Sequence, residues 1–256
     1  MTMALELVTV PCLKDNYAYL THGPEGTCII DAPEAGPIIA TLEARGWLPE
    51  TLLITHHHHD HVGGIADLRA RFPDLTVIGP QAEADKMPTM DRYVAEGDTG
   101  GAGDAEWSVI EVPGHTLGHI AFHMAGAKLL FTADSLMALG CGRVFEGTFE
   151  QMHDSLSKLA ALPGDTVVCS GHEYTQANAK FARTIEPENP ALISRIDAVD
   201  AARAAGQPTV PSLLSDEMDT NPFLRSGQPS VAEAVGLQGA TAQEVFAEVR
   251  RRKDAF

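Results

Sequence analysis

Five of the chain's eleven histidines fall within six consecutive positions, 56–61, of the stretch LITHHHHDHVGG. Neutral imidazole and carboxylate groups packed this closely can chelate a divalent cation such as Zn²⁺, Fe²⁺ or Mn²⁺. The run is internal, is interrupted by Asp60 and follows an apolar segment, so it is not a purification tag. If TLLIT is a strand that ends at Thr55, alternation sends His56 and His58 the same way, as a natural chelating pair. Asp60 and His61 then face a second position from the loop and the first turn of the next helix. His57 and His59 alternate away and are expected to support the loop or lie on the surface, as are His22, His123 and His153. The run contains no cysteine, which argues against a closed structural zinc site.

Further ligand types stand where other strands end. EVPGHTLGH places His115 after a strand and a Pro-Gly turn, LLFTADS ends a strand at Asp134, and VVCSGHEY ends another at His172. Each alone reads as a turn or cap residue, but their joint arrival at strand ends, beside the H-x-H-x-D-H run, points to one shared site. His119 is expected to be a packed histidine beside it.

The elements needed to position these residues are legible in outline. ELVTV, AYLTH and TCIIDA read as strands, PIIATLEARG as a helix stopped by Gly46, and TVIGP as a strand after the helical VGGIADLRARF. Residues 87–106 are polar and glycine-rich and read mostly as loop. WSVIEVPG, IAFHMA, KLLFTAD and DTVVCSG are strands, with a helix before the last that opens on a Thr148/Gln151 capping box. From Tyr174 onward no strand is expected. Helices are expected at about 175–186, 190–205 and 241–252, the last with a Thr241/Glu244 capping box. Two packed sheets flanked by helices, or one mixed sheet, both fit this α/β order.

Bulk properties narrow the partners. A chain of 256 residues suits one large domain or a domain with an appendage, and a formal charge of −17 argues against nucleic acid and anionic membranes. The N-terminal MTMALELVTVPCLKDNY lacks a signal-peptide pattern, no apolar run is long enough to span a membrane, and the four cysteines are scattered with no C-x-x-C pair. A cytoplasmic protein with reduced thiols is expected. An anionic small molecule would need a local basic patch, and VRRRKDAF offers one unless it is only a solvated helix end.

H-x-H-x-D-H followed by Gly-Gly resembles the signature of the metallo-β-lactamase superfamily. KDNYAYL, PGHTLGHI, FTADSL, GCGRVFEGT, SGHEYTQANAKFA, TVPSLLSDEMDTNPFLR and RRRKDAF resemble, within it, the glyoxalase II family of hydroxyacylglutathione hydrolases. The likeness runs from about residue 8 to the last residue. It implies an αββα metallo-β-lactamase-like sandwich, residues 1–173, with a helical substrate-binding domain, residues 174–256. It also implies two divalent metal ions per chain, zinc first and iron or manganese otherwise. One metal would take His56, His58 and His115, the other Asp60, His61 and His172, with Asp134 bridging. The implied reaction converts S-D-lactoylglutathione to glutathione and D-lactate, the second step of methylglyoxal detoxification; the sequence does not show the oligomeric state, and a monomer is the expectation.

A metal lowers the pKa of bound water from 15.7 to about 7, so a hydroxide placed near Asp60 and Asp134 would attack the thioester without a protein base. One metal, acting as a Lewis acid, would stabilise the oxyanion. No G-x-S-x-G elbow or Cys-His pair is needed, and Cys141 in GCGR reads as structural. The resemblance assigns the glutathione part to Arg143, Phe145, His172, Tyr174, Arg250 and Lys253. The family often carries an aromatic hydroxyl where this chain has Phe145, which removes one hydrogen bond there. His59 replaces another bulky residue and is expected to alter packing only. Two competing functions are a glutathione-linked mono-iron persulfide dioxygenase on the same fold, and a non-catalytic metal-binding protein.

Overall fold

The computed structural model describes residues 5–256; Met1–Ala4, the start of the N-terminal stretch read above, lie outside them. Its strands form two six-stranded sheets and one two-stranded sheet, which settles the choice between one sheet and two. The described residues divide into two compact units: residues 5–111 with Leu117–Thr132, and Val112–Thr116 with Ala133–Phe256.

In the first unit β1 (Glu6–Cys12), β2 (Asn16–Gly23) and β3 (Gly26–Ile30) form an antiparallel meander. After α1 (Ala35–Arg45), β4 (Thr51–Leu53) pairs parallel with β3. Two short helices follow, α2 (His59–Val62) and α3 (Ile65–Arg71), and then β5 (Thr76–Pro80) and β6 (Arg92–Val94) extend the parallel set. Parallel strands covered on both faces read as unbroken apolar runs, and Ile29, Leu52, Leu53 and Val77 are fully buried accordingly. Ile38 and Leu42, four apart on α1, and Leu68 on α3 pack into the same core. Gly46 takes the left-handed conformation (φ 67°) that ends α1, as its position after the last periodic residue predicts.

The unit also holds β7 (Thr99–Gly100), β8 (Trp107–Glu111), β9 (Ile120–Met124) and β10 (Leu129–Ala133), paired antiparallel in sequence where the registers are described. The segment 87–106 is therefore not all loop: β6 and β7 are there, too short to show a period.

The second unit carries the hairpin β11 (Leu136–Met137) and β12 (Gly140–Cys141), then α4 (Phe149–Ala160), whose Thr148/Gln151 capping box forms as expected. After β13 (Val167–Ser170) come α5 (Thr175–Ile185) and α6 (Pro190–Ala204). The expectation of no strand beyond Tyr174 is corrected by β14 (Ser212–Leu213), which pairs antiparallel with β13. Two residues of ladder leave no alternation to detect. Short helices α7 (Leu214–Thr220) and α8 (Pro229–Ala234) precede α9 (Ala242–Ala255), which starts at its Thr241/Glu244 box.

Buried Glu217 on α7 holds this unit's hairpin in place. It accepts from the Leu139 amide and pairs with Arg195, while Asn221 donates to the carbonyls of Met137 and Gly140.

Candidate metal centre

In the first unit the ligand-type residues follow the C-terminal ends of parallel strands. Asp31, directly after β3, accepts from the Thr55 amide (2.9 Å) and from the Thr55 hydroxyl (2.9 Å to Oδ2). The Thr55 proton is committed to Asp31, so Thr55 Oγ1 is left to accept from His56 Nδ1 at 3.1 Å. Asp31 Oδ2 also lies 2.8 Å from His61 Nδ1. A carboxylate only accepts here, so both histidines carry their proton on Nδ1 and present Nε2 as a lone pair. His56 Nε2 is 3.2 Å from His58 Nδ1, as the alternation argument requires. Asn16 at the start of β2 donates to Asp60 Oδ2 (3.0 Å) and to its carbonyl (3.2 Å), fixing that carboxylate.

The histidines expected to be supports have these surroundings. His119 is fully buried and stacks on His56 with centroids 4.5 Å apart. His57 bonds to Glu83, and His59 lines a surface pocket with Val62, Ile65, Arg69 and Pro88. His22 stacks on Trp47, and His153 lies edge-on to Phe246. His123 is half-buried, and burial pushes its pKa below the usual histidine value. His57→Ala is therefore expected to retain both metals, with activity within about threefold of the parent, by metal analysis and initial rates; loss of a metal would move His57 into the ligand set.

In the second unit Asp134 follows β10, His115 follows the Pro113-Gly114 turn and His172 follows β13. His115 Nδ1 donates to the Arg143 carbonyl at 2.7 Å, which leaves its Nε2 as the lone pair. That Nε2 lies 3.3 Å from Asp134 Oδ2, and His172 Nε2 lies 3.3 Å from Asp134 Oδ1. One carboxylate thus offers a different oxygen to each histidine. Ala133 beside it has φ 41°, a left-handed conformation that non-glycine residues hold only when their surroundings enforce it. Gly142 is required here: a Cβ would sit 1.9 Å from the Asp134 carbonyl oxygen.

These spacings suit a metal. Tetrahedral coordination at the usual 2.0–2.2 Å bond lengths separates neighbouring ligand atoms by about 3.3–3.6 Å, and the three pairs stand at 3.2 to 3.3 Å, at the short end of that range. His56, His58, Asp60 and His61 in the first unit, and His115, Asp134 and His172 in the second, are residues whose side chains could hold a metal ion. All are imidazole or carboxylate, the donor set of zinc, iron and manganese.

The residues that the resemblance linked to glutathione all belong to the second unit. Tyr174 stacks on His172 (4.6 Å, 10° between planes), and exposed Phe145 lies 5.3 Å from the His115 ring. Arg143 is half-exposed. Lys253 is partly buried, within cation–π range of Phe181 and Phe256, and its pKa is pushed down by burial first and by the charge of Arg250 second. Arg250 departs from a simple surface cation. It is only 4% exposed, donates to the Cys141 carbonyl at 3.0 Å and pairs with Asp254 at 2.8 Å. Asp254 reaches Arg143 Nε at 3.5 Å. Arg251 and Arg252 instead pair with Glu248, and Arg252 also donates to the carbonyls of Ala234 (3.1 Å) and Val235 (2.8 Å) at the end of α8. Cys141 is buried and its thiol pKa is raised, by burial first, in keeping with a structural cysteine.

Sequence reasoning missed Asp31, Glu83, Asn16 and Asp254. Asp31 carried a usable signal, because TCIIDA ends a strand on an aspartate just as LLFTADS does.

Known proteins agree with this geometry. Residues 15–172 match the metallo-beta-lactamase superfamily model, and residues 173–256 match the hydroxyacylglutathione hydrolase C-terminus model. The chain is 58% identical over 256 residues to a hydroxyacylglutathione hydrolase of Ruegeria pomeroyi and 57% identical to one of Cereibacter sphaeroides, covering 99% of this chain and 100% of each relative. The crystal structure of the BLEG-1 B3 metallo-beta-lactamase superposes with a TM-score of 0.66 at 21% identity, over 86% of this chain and 99% of that one, and so shares the fold. With its two His/Asp clusters, two sheets and C-terminal helical region, the chain belongs to the hydroxyacylglutathione hydrolase (glyoxalase II) family of the metallo-β-lactamase superfamily.

Proposed function

We propose that the chain hydrolyses the thioester of S-D-lactoylglutathione and related S-2-hydroxyacylglutathiones to glutathione and the free hydroxy acid, the second step of methylglyoxal detoxification. The observation that carries this reading is the identity of 57–58%, along the whole chain, to relatives that bear the hydrolase name. We assign His56, His58 and His115 to one metal, Asp60, His61 and His172 to the other, and Asp134 to both. Zinc fits the donors best, with iron and manganese compatible.

Two divalent ions so held supply Lewis acidity and activate water near neutral pH. The protein's own residues do the placing. Asp31 holds His61 directly and His56 through Thr55, each presenting its Nε2 lone pair for a ligand bond. Asn16 turns the Asp60 carboxylate, and Asp134 offers one oxygen to each side. In our assignment Arg143, Tyr174 and Lys253 grip the glutathione moiety, with Phe145 and His172 beside it. Arg250 acts from beneath, as the buried post under the Cys141 carbonyl that also engages Asp254, whose carboxylate reaches Arg143.

This division gives residues 1–173 the chemistry and residues 174–256 much of the substrate grip, in keeping with where the two family matches meet. We assign a monomer. We place it in the cytoplasm, in keeping with its free thiols Cys12, Cys28, Cys141 and Cys169. No helix among the described residues is long and apolar enough to cross a membrane.

Metal removal tests the reading. Chelation should abolish loss of thioester absorbance from S-D-lactoylglutathione, and about two equivalents of Zn²⁺ per chain should restore it. Full activity of the metal-free chain would overturn the assignment. Recovery at one equivalent of iron, with oxygen consumed, would select the dioxygenase instead.

A further inference from the structure

We propose that Glu83 is a positioning residue for the histidine loop, a buried clamp that sets how tightly the chain holds its metals. The inference rests on the metal-centre reading and extends it to a residue that supplies no ligand in that assignment.

Glu83 lies on the short 3-10 helix Gln81–Lys86 that follows β5. The turn is mostly exposed, with Gln81, Ala82, Asp85 and Lys86 in solvent, yet Glu83 is 1% exposed. Its Oε2 accepts from the main-chain amide of His57 at 2.6 Å and lies 2.9 Å from His57 Nδ1. Its Oε1 accepts from the amide of Gly118 at 3.1 Å.

Those contacts fall where they would control the loop. His57 stands between His56 and His58, so fixing its main chain fixes the spacing of both neighbours. Gly118 precedes His119, which stacks on His56, and the Ile120 amide donates to the Thr55 carbonyl at 3.0 Å. One carboxylate therefore ties residues 55–58 to residues 118–120. The approach is close enough to demand glycine: a Cβ on residue 118 would lie 2.4 Å from Glu83 Cγ and 2.9 Å from Ala82 Cβ.

Three N–H groups converge on two oxygens that only accept. An amide in place of the carboxylate keeps the shape but turns an NH₂ toward an N–H donor, whichever way it is flipped. Groups that orient metal ligands typically change metal affinity or activity by 10–100-fold when altered.

The test is zinc competition with a chromogenic chelator on the full-length chain, with thermal unfolding of the metal-free protein alongside. Glu83→Gln should weaken zinc about 10–100-fold, and Glu83→Asp, which keeps an acceptor-only group on a shorter arm, should recover part of the loss. Asp85→Asn, an exposed change on the same turn, should leave affinity within about twofold of the parent and thereby controls for a general effect of charge. The pattern of strong loss, partial rescue and silent control supports the clamp. Zinc affinity of Glu83→Gln within twofold of the parent, or no tighter binding by Glu83→Asp than by Glu83→Gln, overturns it. If Glu83→Gln does not fold, Glu83→Asp alone decides: affinity reduced threefold or more supports the clamp, and parental affinity overturns it. A parent chain that binds no zinc would sink the metal-centre reading itself, an outcome distinct from either.

Discussion

Asp134→Ala is expected to lower kcat for S-D-lactoylglutathione by about a thousandfold or more, a barrier increase of about 4 kcal/mol. The two oxygens of its carboxylate each face a histidine Nε2, His115 on one side and His172 on the other. Alanine removes a ligand from both proposed metal positions at once and leaves the two imidazoles without the anion between them. The side chain is 8% exposed, so water cannot fully replace it. The loss should appear in metal content as well as in rate, with fewer than two ions per chain after dialysis. Asp134→Asn, which keeps one acceptor oxygen, should retain more metal than Asp134→Ala. Thermal unfolding separates this from collapse, because Asp134 follows the end of β10 rather than sitting within its ladder. Two bound metals and parental activity in Asp134→Ala would remove the residue from the site.

The residues we propose as ligands were legible because their positions repeat a simple rule. A short buried strand ends, the chain turns, and a polar side chain is left at the strand's C-terminal edge. That rule finds His56, His58, Asp134 and His172 from local sequence alone, and applied evenly it also finds Asp31. Glu83 obeys no such rule. QAEADK is a polar run in which any one residue could face inward, and only the turn after β5 decides that Glu83 does. Local sequence carries no trace of the donors it meets, 26 and 35 positions away.

The basic C-terminus is a case where the information was present but underused. The Thr241 cap fixes where α9 begins, and Val245, Phe246 and Val249 mark its buried stripe. Helical spacing continues that stripe through Arg250 and Lys253, and sends Arg251 and Arg252 outward. Helical period alone therefore separates Arg250 and Lys253 from Arg251 and Arg252, the last of which reaches the Ala234 and Val235 carbonyls of α8. What the sequence could not supply is the partner of each: the Cys141 carbonyl and Asp254 for Arg250, and the aromatic rings of Phe181 and Phe256 for Lys253.

That division determines which cations can be tested for substrate recognition. Arg250→Ala would leave the buried Cys141 carbonyl without its donor and Asp254 without its main partner, so its effect on binding would be mixed with a loss of stability. Arg143→Ala with Lys253→Ala avoids this, because one side chain is half-exposed and the other only partly buried. Exposed charge contacts contribute up to about 1 kcal/mol each; at about 0.7 kcal/mol apiece the pair sums to about 1.4 kcal/mol, a tenfold change. KM for the glutathione thioester should rise about tenfold while kcat changes far less, the signature of lost uniform binding. The difference should shrink as salt is raised, since screening already weakens the parental contacts. A simple thioester without the glutathione carboxylates should be hydrolysed equally, and poorly, by both proteins. A pH series adds a sign. Burial and the neighbouring Arg250 push the Lys253 pKa below the ordinary lysine value, so the parent should lose its ammonium, and its low KM, at a pH below that of a free lysine. Lys253→Ala should lack that alkaline rise. A parental KM in the double variant at low salt would leave both cations as surface charge, and the glutathione would have to be held by other groups.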